Sequence, residues 1–233
     1  MKVLTIGMGE CVSDALMNRS QTISVIAGAI ALIAALVWQF RTDRFRVVPY
    51  WTAVAMVAVF GTMIADGLRK GLGLSYRDTT FAFIAILITC LGAWYASERT
   101  LSIHGLTTHR REGFYWGTVM ATFALGTAVG DLCASTLHWG FLSSGLLFLG
   151  LIVLPYLAWR FLGLNSVIAF WSSYILTRPL GASLADFAWV PHSGGLALGK
   201  EHVSLILVPV LLVGVVIAAR TRNGEPPVAL AAA

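Results

Sequence analysis

Charge is what this chain has least of: 12% of its 233 residues are charged, about half the share of a soluble domain. With 58% hydrophobic residues and a mean hydropathy of +0.80, a soluble globular domain is excluded. The little charge present leans basic, a formal net charge of +5. Its lysines and arginines are spread thinly over loops between apolar runs, without the basic stripe that nucleic acid needs. Cysteine is scarce too. Cys11, Cys90 and Cys133 fall in predicted spans at no metal-ligand spacing, which speaks against disulfides and for ordinary small packing residues. There is no Gly-rich phosphate loop, no His-Glu-x-x-His and no Gly-x-Ser-x-Gly, so an enzyme reading has no motif behind it. The opening residues to Gly7 hold no usable apolar core ahead of Glu10 and no small-x-small cleavage site, and no removable signal peptide is expected.

What is present in quantity is long apolar runs. A membrane-spanning helix takes about 20 apolar residues at 1.5 Å rise each, and the runs place spans near 3–17, 21–40, 48–68, 79–97, 113–134, 141–162, 165–187 and 202–219. The expected fold is therefore all-α: a polytopic helical membrane bundle of about eight transmembrane helices, forming one domain over 1–222 with a disordered tail at 223–233. Lys2, Arg41, Arg44, Arg46, Arg99, Arg110, Arg111, Arg160, Arg220 and Arg222 lie on the side that holds both termini. Arg19, Arg69, Lys70, Arg77 and Lys200 lie opposite. The positive-inside rule then puts both termini in the cytoplasm. The tryptophans fall mostly near span ends, where interfacial anchors are expected.

The runs are copies of one another. Gly9-Glu10-Cys11-Val12-Ser13-Asp14, Gly61-Thr62-Met63-Ile64-Ala65-Asp66, Gly126-Thr127-Ala128-Val129-Gly130-Asp131 and Gly181-Ala182-Ser183-Leu184-Ala185-Asp186 share the form Gly-x-x-x-small-Asp. An aromatic-Trp pair ends fifteen residues before the aspartate in three of them: Tyr50-Trp51, Tyr115-Trp116 and Phe170-Trp171. This is an internal repeat of a two-span unit, about 1–40, 48–97, 113–162 and 165–219. The first copy begins where its aromatic-Trp pair would stand, so it is either abbreviated or its recorded start lies downstream of the true one. Two spans per unit make all four aspartate-bearing helices parallel, unlike the inverted repeats of many transporters. Fifteen residues of helix rise about 22 Å, which carries the acids past the midplane towards the non-cytoplasmic face.

An ionised carboxylate in hydrocarbon costs at least about 2.5–3.5 kcal/mol, so repeated intramembrane acids point to a shared role. The candidate ligands are Asp14, Asp66, Asp131 and Asp186, with the residues one turn earlier on the same face: Glu10, Thr62 and Thr127, the fourth being Ala182. Such an oxygen-rich set suits a hard divalent cation, Mg²⁺, Ca²⁺ or Mn²⁺, with Zn²⁺ behind them as a lesser fit through Cys11 and Cys133. His138 could join from a loop, although a histidine beside Trp139 at an interface is more often structural; His104, His109, His192 and His202 carry no assigned role. Arg178, two turns before Asp186, is expected as an electrostatic lock for the acids, with anion binding by its guanidinium as the alternative. Pro179 beside it either hinges the helix or shapes packing. The blander readings are acids solvated at span ends, or acids serving as polar glue between helices. The glycines with Ser13, Ala65, Gly130 and Ala185 form small-x-x-x-small faces of the kind that let helices approach closely.

Residues Phe114-Tyr115-Trp116 through Asp131, Tyr50-Trp51 through Asp66, Phe170-Trp171 with Leu176-Thr177-Arg178-Pro179-Leu180-Gly181-Ala182 through Asp186, Gly194-Gly195-Leu196-Ala197-Leu198-Gly199, and Met8-Gly9-Glu10 with Ser13-Asp14 resemble a family of uncharacterised bacterial integral membrane proteins. That family is built of four tandem two-helix repeats, each marked by a tryptophan. The resemblance implies an eight-span protein of the bacterial inner membrane and supplies no activity. From the residues, the expectation is a cation transporter, an exporter or exchanger rather than a channel, in contact with the lipid bilayer and a small cation but not with nucleic acid; a homo-oligomer is compatible with it. The alternative is a membrane scaffold or sensor subunit whose acids are structural.

Overall fold

The computed structural model describes residues 1–42, 45–103, 108–191 and 194–222; Arg44, His104, His192 and the tail 223–233 lie outside the described residues. The described residues hold eight α-helices and no strand: α1 (Lys2–Met17), α2 (Gln21–Phe40), α3 (Val47–Leu72), α4 (Tyr76–Glu98), α5 (His109–Asp131), α6 (Phe141–Leu162), α7 (Ser166–Trp189) and α8 (Lys200–Arg222). Each coincides with a predicted span. Local chemistry sets the boundaries: Ser75 and Thr108 cap α4 and α5 by accepting from the backbone N–H of Asp78 and Arg111. Gly73 and Gly163 end α3 and α6 at φ 65° and 72°, a left-handed conformation that glycine adopts without a Cβ penalty. α7 runs unbroken through Pro179. Six of the eight helices are long and apolar enough to cross a membrane. The others are α1, at 16 residues, and α7, which carries Arg178 and Asp186.

The odd-numbered helices form a closed ring, α1 against α3, α3 against α5, α5 against α7 and α7 against α1. The repeated glycine makes every one of these joints. A Cβ added at Gly9 would sit 2.5 Å from the Cβ of Ala58, at Gly61 2.7 Å from that of Phe123, and at Gly181 2.6 Å from that of Ile6; at Gly126 it would collide with the Cβ of Arg178. Ile6, Ala58, Phe123 and Arg178 each stand eight residues before the aspartate of their own helix. One register therefore repeats four times around the ring, which is possible only if the four helices are parallel and related by an axis along their length. The small-residue faces are what let the helices meet at backbone distance.

The even-numbered helices lie outside. Each packs more extensively on the odd helix that follows than on the odd helix before it: α2 on α3, α4 on α5, α6 on α7, and α8 back on α1. Their apolar windows are 22%, 28%, 22% and 11% buried against 61% for α3 and 72% for α5. Ile23, Ile30, Phe81, Ile88, Leu146, Leu205 and Val213 stand exposed along them, a surface suited to lipid. The described helices thus form an inner ring wrapped by an outer, lipid-facing layer.

The repeat tryptophans depart from the expectation of interfacial anchors. Trp51, Trp116 and Trp171 are buried, as is Trp94. Each repeat tryptophan meets its preceding aromatic edge to face: Tyr50–Trp51 at 84°, Tyr115–Trp116 at 73° and Phe170–Trp171 at 80°. They build the core between the ring helices, where ring edges and faces attract. Trp38, Trp139 and Trp159 are the exposed ones, and remain in keeping with interfacial positions.

The interlock gives a direct test. Gly126→Ala or Gly9→Ala, which forces a Cβ into a neighbour's backbone and Cβ, is expected to destabilise by about 1–3 kcal/mol. Gly92→Ala meets nothing within 4 Å and is expected to be neutral or stabilising by up to about 1 kcal/mol. Unfolding in detergent, followed by tryptophan fluorescence, compares them.

Candidate functional site: a polar axis in the ring

The register that joins the ring stacks equivalent residues in levels. One residue beyond each joint glycine, and one turn beyond the residue of the same helix that meets a neighbour's glycine, lies the level of Glu10, Thr62, Thr127 and Ala182. Here the Thr62 hydroxyl donates to Oε2 of Glu10 at 3.0 Å, and the Thr127 hydroxyl donates to the same oxygen at 3.0 Å. The two hydroxyl oxygens are 3.3 Å apart. All three residues are buried. Glu10 on α1 thus reaches α3 beside it and α5 across the ring, and three of the four helices meet at one carboxylate oxygen. Hydrogen bonds of this kind contribute about 0.5–1.5 kcal/mol each, and more where the acceptor is charged.

One turn further come the aspartates. Asp66 and Asp186 are buried, while Asp14 and Asp131 are half-buried. The charges of Glu10 and the four aspartates act on one another, so the ring brings them into one neighbourhood. It does not bring them onto one ion: among the described residues no three His, Cys, Asp or Glu side chains form a group able to hold a metal. Asp66 is paired with Lys70, 2.5 Å away and one turn on, and Asp186 accepts from Nε1 of Trp189 at 3.1 Å. Arg69 and Lys70 also act on Asp14 and Asp131, and Lys200 acts on Asp14. Asp131 stands where α5 passes into a five-residue π-helical turn, Leu132–Thr136, a local widening common at functional sites. Cys11, Cys90 and Cys133 are free. His138 is exposed with φ 57°.

Arg178, expected as an electrostatic lock, forms no ion pair with the acids among the described residues. The ion pairs among the described residues are Lys70 with Asp66 and Arg110 and Arg111 with Glu98; none includes Arg178. Two turns separate it from Asp186, about 12 Å of helix, so it lies at the joint level, where α5 presents Gly126 rather than an acid. Its guanidinium instead stacks over Phe123 and Tyr174, 3.7 and 4.3 Å from the ring centroids. Compensation for the acids comes from Lys70, a partner that i,i+4 spacing on one helix face makes legible in the sequence. Two further oxygens went unassigned in the sequence reading: the Ser13 and Ser183 hydroxyls are buried beside the acidic levels without a hydrogen-bond partner. Both lie inside the repeated hexapeptide, the only signal that could have marked them.

Ring, outer layer and repeated register define an integral membrane helical bundle with internal repeats. The chain belongs to the family described as a repeat of unknown function, DUF347, which matches it three times, over 49–100, 114–163 and 169–223. Those segments are α3–α4, α5–α6 and α7–α8; α1 and α2 lie outside them, yet α1 fills the remaining place in the ring and α2 a place in the outer layer. No curated protein and no solved structure matches.

Because Thr62 and Thr127 share one acceptor atom, Thr62→Val and Thr127→Val are each expected to cost about 1–3 kcal/mol. The double variant is expected to depart from their sum by about 0.5–3 kcal/mol. A double-mutant cycle on unfolding in detergent reads the coupling, and strict additivity would dissolve the triad.

Proposed function

We propose that the protein is an integral membrane transporter that moves a small cation in exchange for protons, with Glu10, Thr62 and Thr127 as the central binding level and the four aspartates as the mouth on the non-cytoplasmic side. The observation that carries this reading is one buried carboxylate inside the ring with two hydroxyl donors from two neighbouring ring helices. A carboxylate in that place must be protonated, or neutralised by a cation that takes over the hydroxyl oxygens as ligands. Exchange between those two states is ion–proton antiport. One carboxylate and two hydroxyls balance a single positive charge. A divalent ion of the Mn²⁺ or Mg²⁺ type, favoured by oxygen ligands, needs Asp14 or Asp131 to swing in as a second carboxylate. The half-buried Asp14 and Asp131 at the mouth would raise the local cation concentration.

We read α1–α2 as a fourth, divergent repeat, since Gly9 and Ile6 keep the register of the other joints. The proposed location is the bacterial inner membrane with both termini cytoplasmic. That places Arg110 and Arg111, paired with Glu98, on the inner face, in line with the positive-inside rule. The scaffold alternative has its own support, since Asp66 and Asp186 already hold partners within their own helices.

Flux in liposomes separates the two. Under a pH gradient, uptake or release of Mn²⁺, Mg²⁺ or Na⁺ is expected to fall at least about tenfold, a loss of about 1.4 kcal/mol in transition-state stabilisation, in Glu10→Gln and in Asp66→Asn/Asp131→Asn. The Thr62→Ser variant, which keeps the hydroxyl, is expected to retain flux. Full activity in both acid variants sinks the transporter reading, as does the absence of any cation flux by the wild-type chain.

A further inference from the structure

The joint level of the ring leaves an excess of donors that a cation pathway does not use. Arg178 is 1% exposed, with Phe123 and Tyr174 stacked against it at 3.7 and 4.3 Å. A guanidinium has five N–H donors and no acceptor, yet Nε and Nη1 have no hydrogen-bond partner. Tyr174 is within hydrogen-bonding reach of both Arg178 and Tyr115, and the Tyr115 hydroxyl lies 3.1 Å from that of Tyr50.

The arginine can only donate, so it takes none of the hydroxyl protons. Three hydroxyls joined by two hydrogen bonds use two of their three protons, whichever way each bond points, and the third proton has no acceptor among the described partners. Lys2 adds a second positive charge, its Nζ 5.4 Å from the centroid of Tyr174 and 5.8 Å from that of Phe170, close enough that Arg178 acts on it. No described carboxylate pairs with the arginine. Buried donors without acceptors and a buried charge without a counter-charge are both costly, and a bound anion removes both deficits.

We propose that Arg178 and the Tyr50–Tyr115–Tyr174 hydroxyl chain bind a small monovalent anion inside the ring, two or more helical turns from the aspartate level. Two unpartnered N–H groups on a guanidinium covered by Phe123 and Tyr174 suit a compact acceptor, so the class is a halide or a planar anion of nitrate size. The site draws its residues from α3, α5 and α7, shares none with the cation-binding level, and does not depend on the transporter reading.

The test is the melting temperature of the detergent-purified full chain as chloride or nitrate replaces gluconate at constant ionic strength. Ligand that binds only the folded state raises apparent stability by mass action. A saturable rise is expected, reaching about 5–10 °C at a hundredfold excess over the dissociation constant for a chain of this size. Tyr115→Phe keeps the ring and removes the middle hydroxyl; it is expected to raise the half-saturating concentration about tenfold, the loss of one ordinary hydrogen bond. Arg178→Gln is expected to abolish the response, and if that variant does not fold, Tyr115→Phe decides alone. A wild-type melting temperature indifferent to the anion overturns the proposal. So does Tyr115→Phe with an unchanged half-saturating concentration. Cation flux does not enter either outcome.

Discussion

The structure depends on one steric condition, that a glycine five residues before each aspartate meets the residue eight before the aspartate of the next ring helix. At these four joints a single methyl group is more than the space allows. Lipid tails are as apolar as leucine, so burial of apolar surface does little to hold helices together in a membrane; close packing and interhelical hydrogen bonds do it instead. Repeating the same joint four times fixes the helix spacing, the parallel sense and the stagger together. The stack of levels inside the ring follows from it. Were one joint displaced by a turn, Glu10, Thr62 and Thr127 could not share an oxygen.

From that stagger comes a separation of charge along the axis. Acids occupy the levels towards the C-terminal ends of the ring helices, with Lys70, Arg69 and Lys200 at their outer margin. Arg178, at the middle of α7, and Lys2, at the start of α1, lie about two to three turns away, against Tyr174. Residues that are costly in hydrocarbon are thereby withdrawn to where ring neighbours and the outer helices cover them. The outer helices contribute in turn by crossing over: each leans on the ring helix of the following pair, and α8 returns to α1. Such an exchange ties consecutive pairs together, so no helix pair carries a complete core of its own.

Both readings of function use the same property of this axis. A buried carboxylate with two hydroxyl donors and a buried guanidinium with two unpartnered nitrogens are each one charge short of neutrality. The first calls for a proton or a cation, the second for an anion. Their positions on separate levels keep the two demands independent, and each can be removed by substitutions that leave the glycine joints intact.

Much of this was legible in the residues alone. Eight helices, their boundaries, the two-helix period and the parallel sense follow from apolar run length and from a repeated hexapeptide, because those are local or periodic properties of the chain. The common depth of the aspartates follows from the same repetition, as does the face shared by Glu10, Thr62, Thr127 and the acids; that the four helices close into a ring rather than lie in a row does not. Which side chains touch across the ring was not legible. Spacing within one helix cannot say that Glu10 bonds threonines of two others, that Asp66 is satisfied by Lys70 while Asp131 stands at a π-helical turn, or that the repeat tryptophans turn inward. Arg178 shows the limit most plainly: helical spacing puts it two turns from an acid, and only the stagger of α5 against α7 sets it between Phe123 and Tyr174. Sequence determined the elements, their number and their repetition, since these depend on residues near one another along the chain. Tertiary structure decided the partners, since the offset between neighbouring helices is set by contacts among residues far apart in sequence.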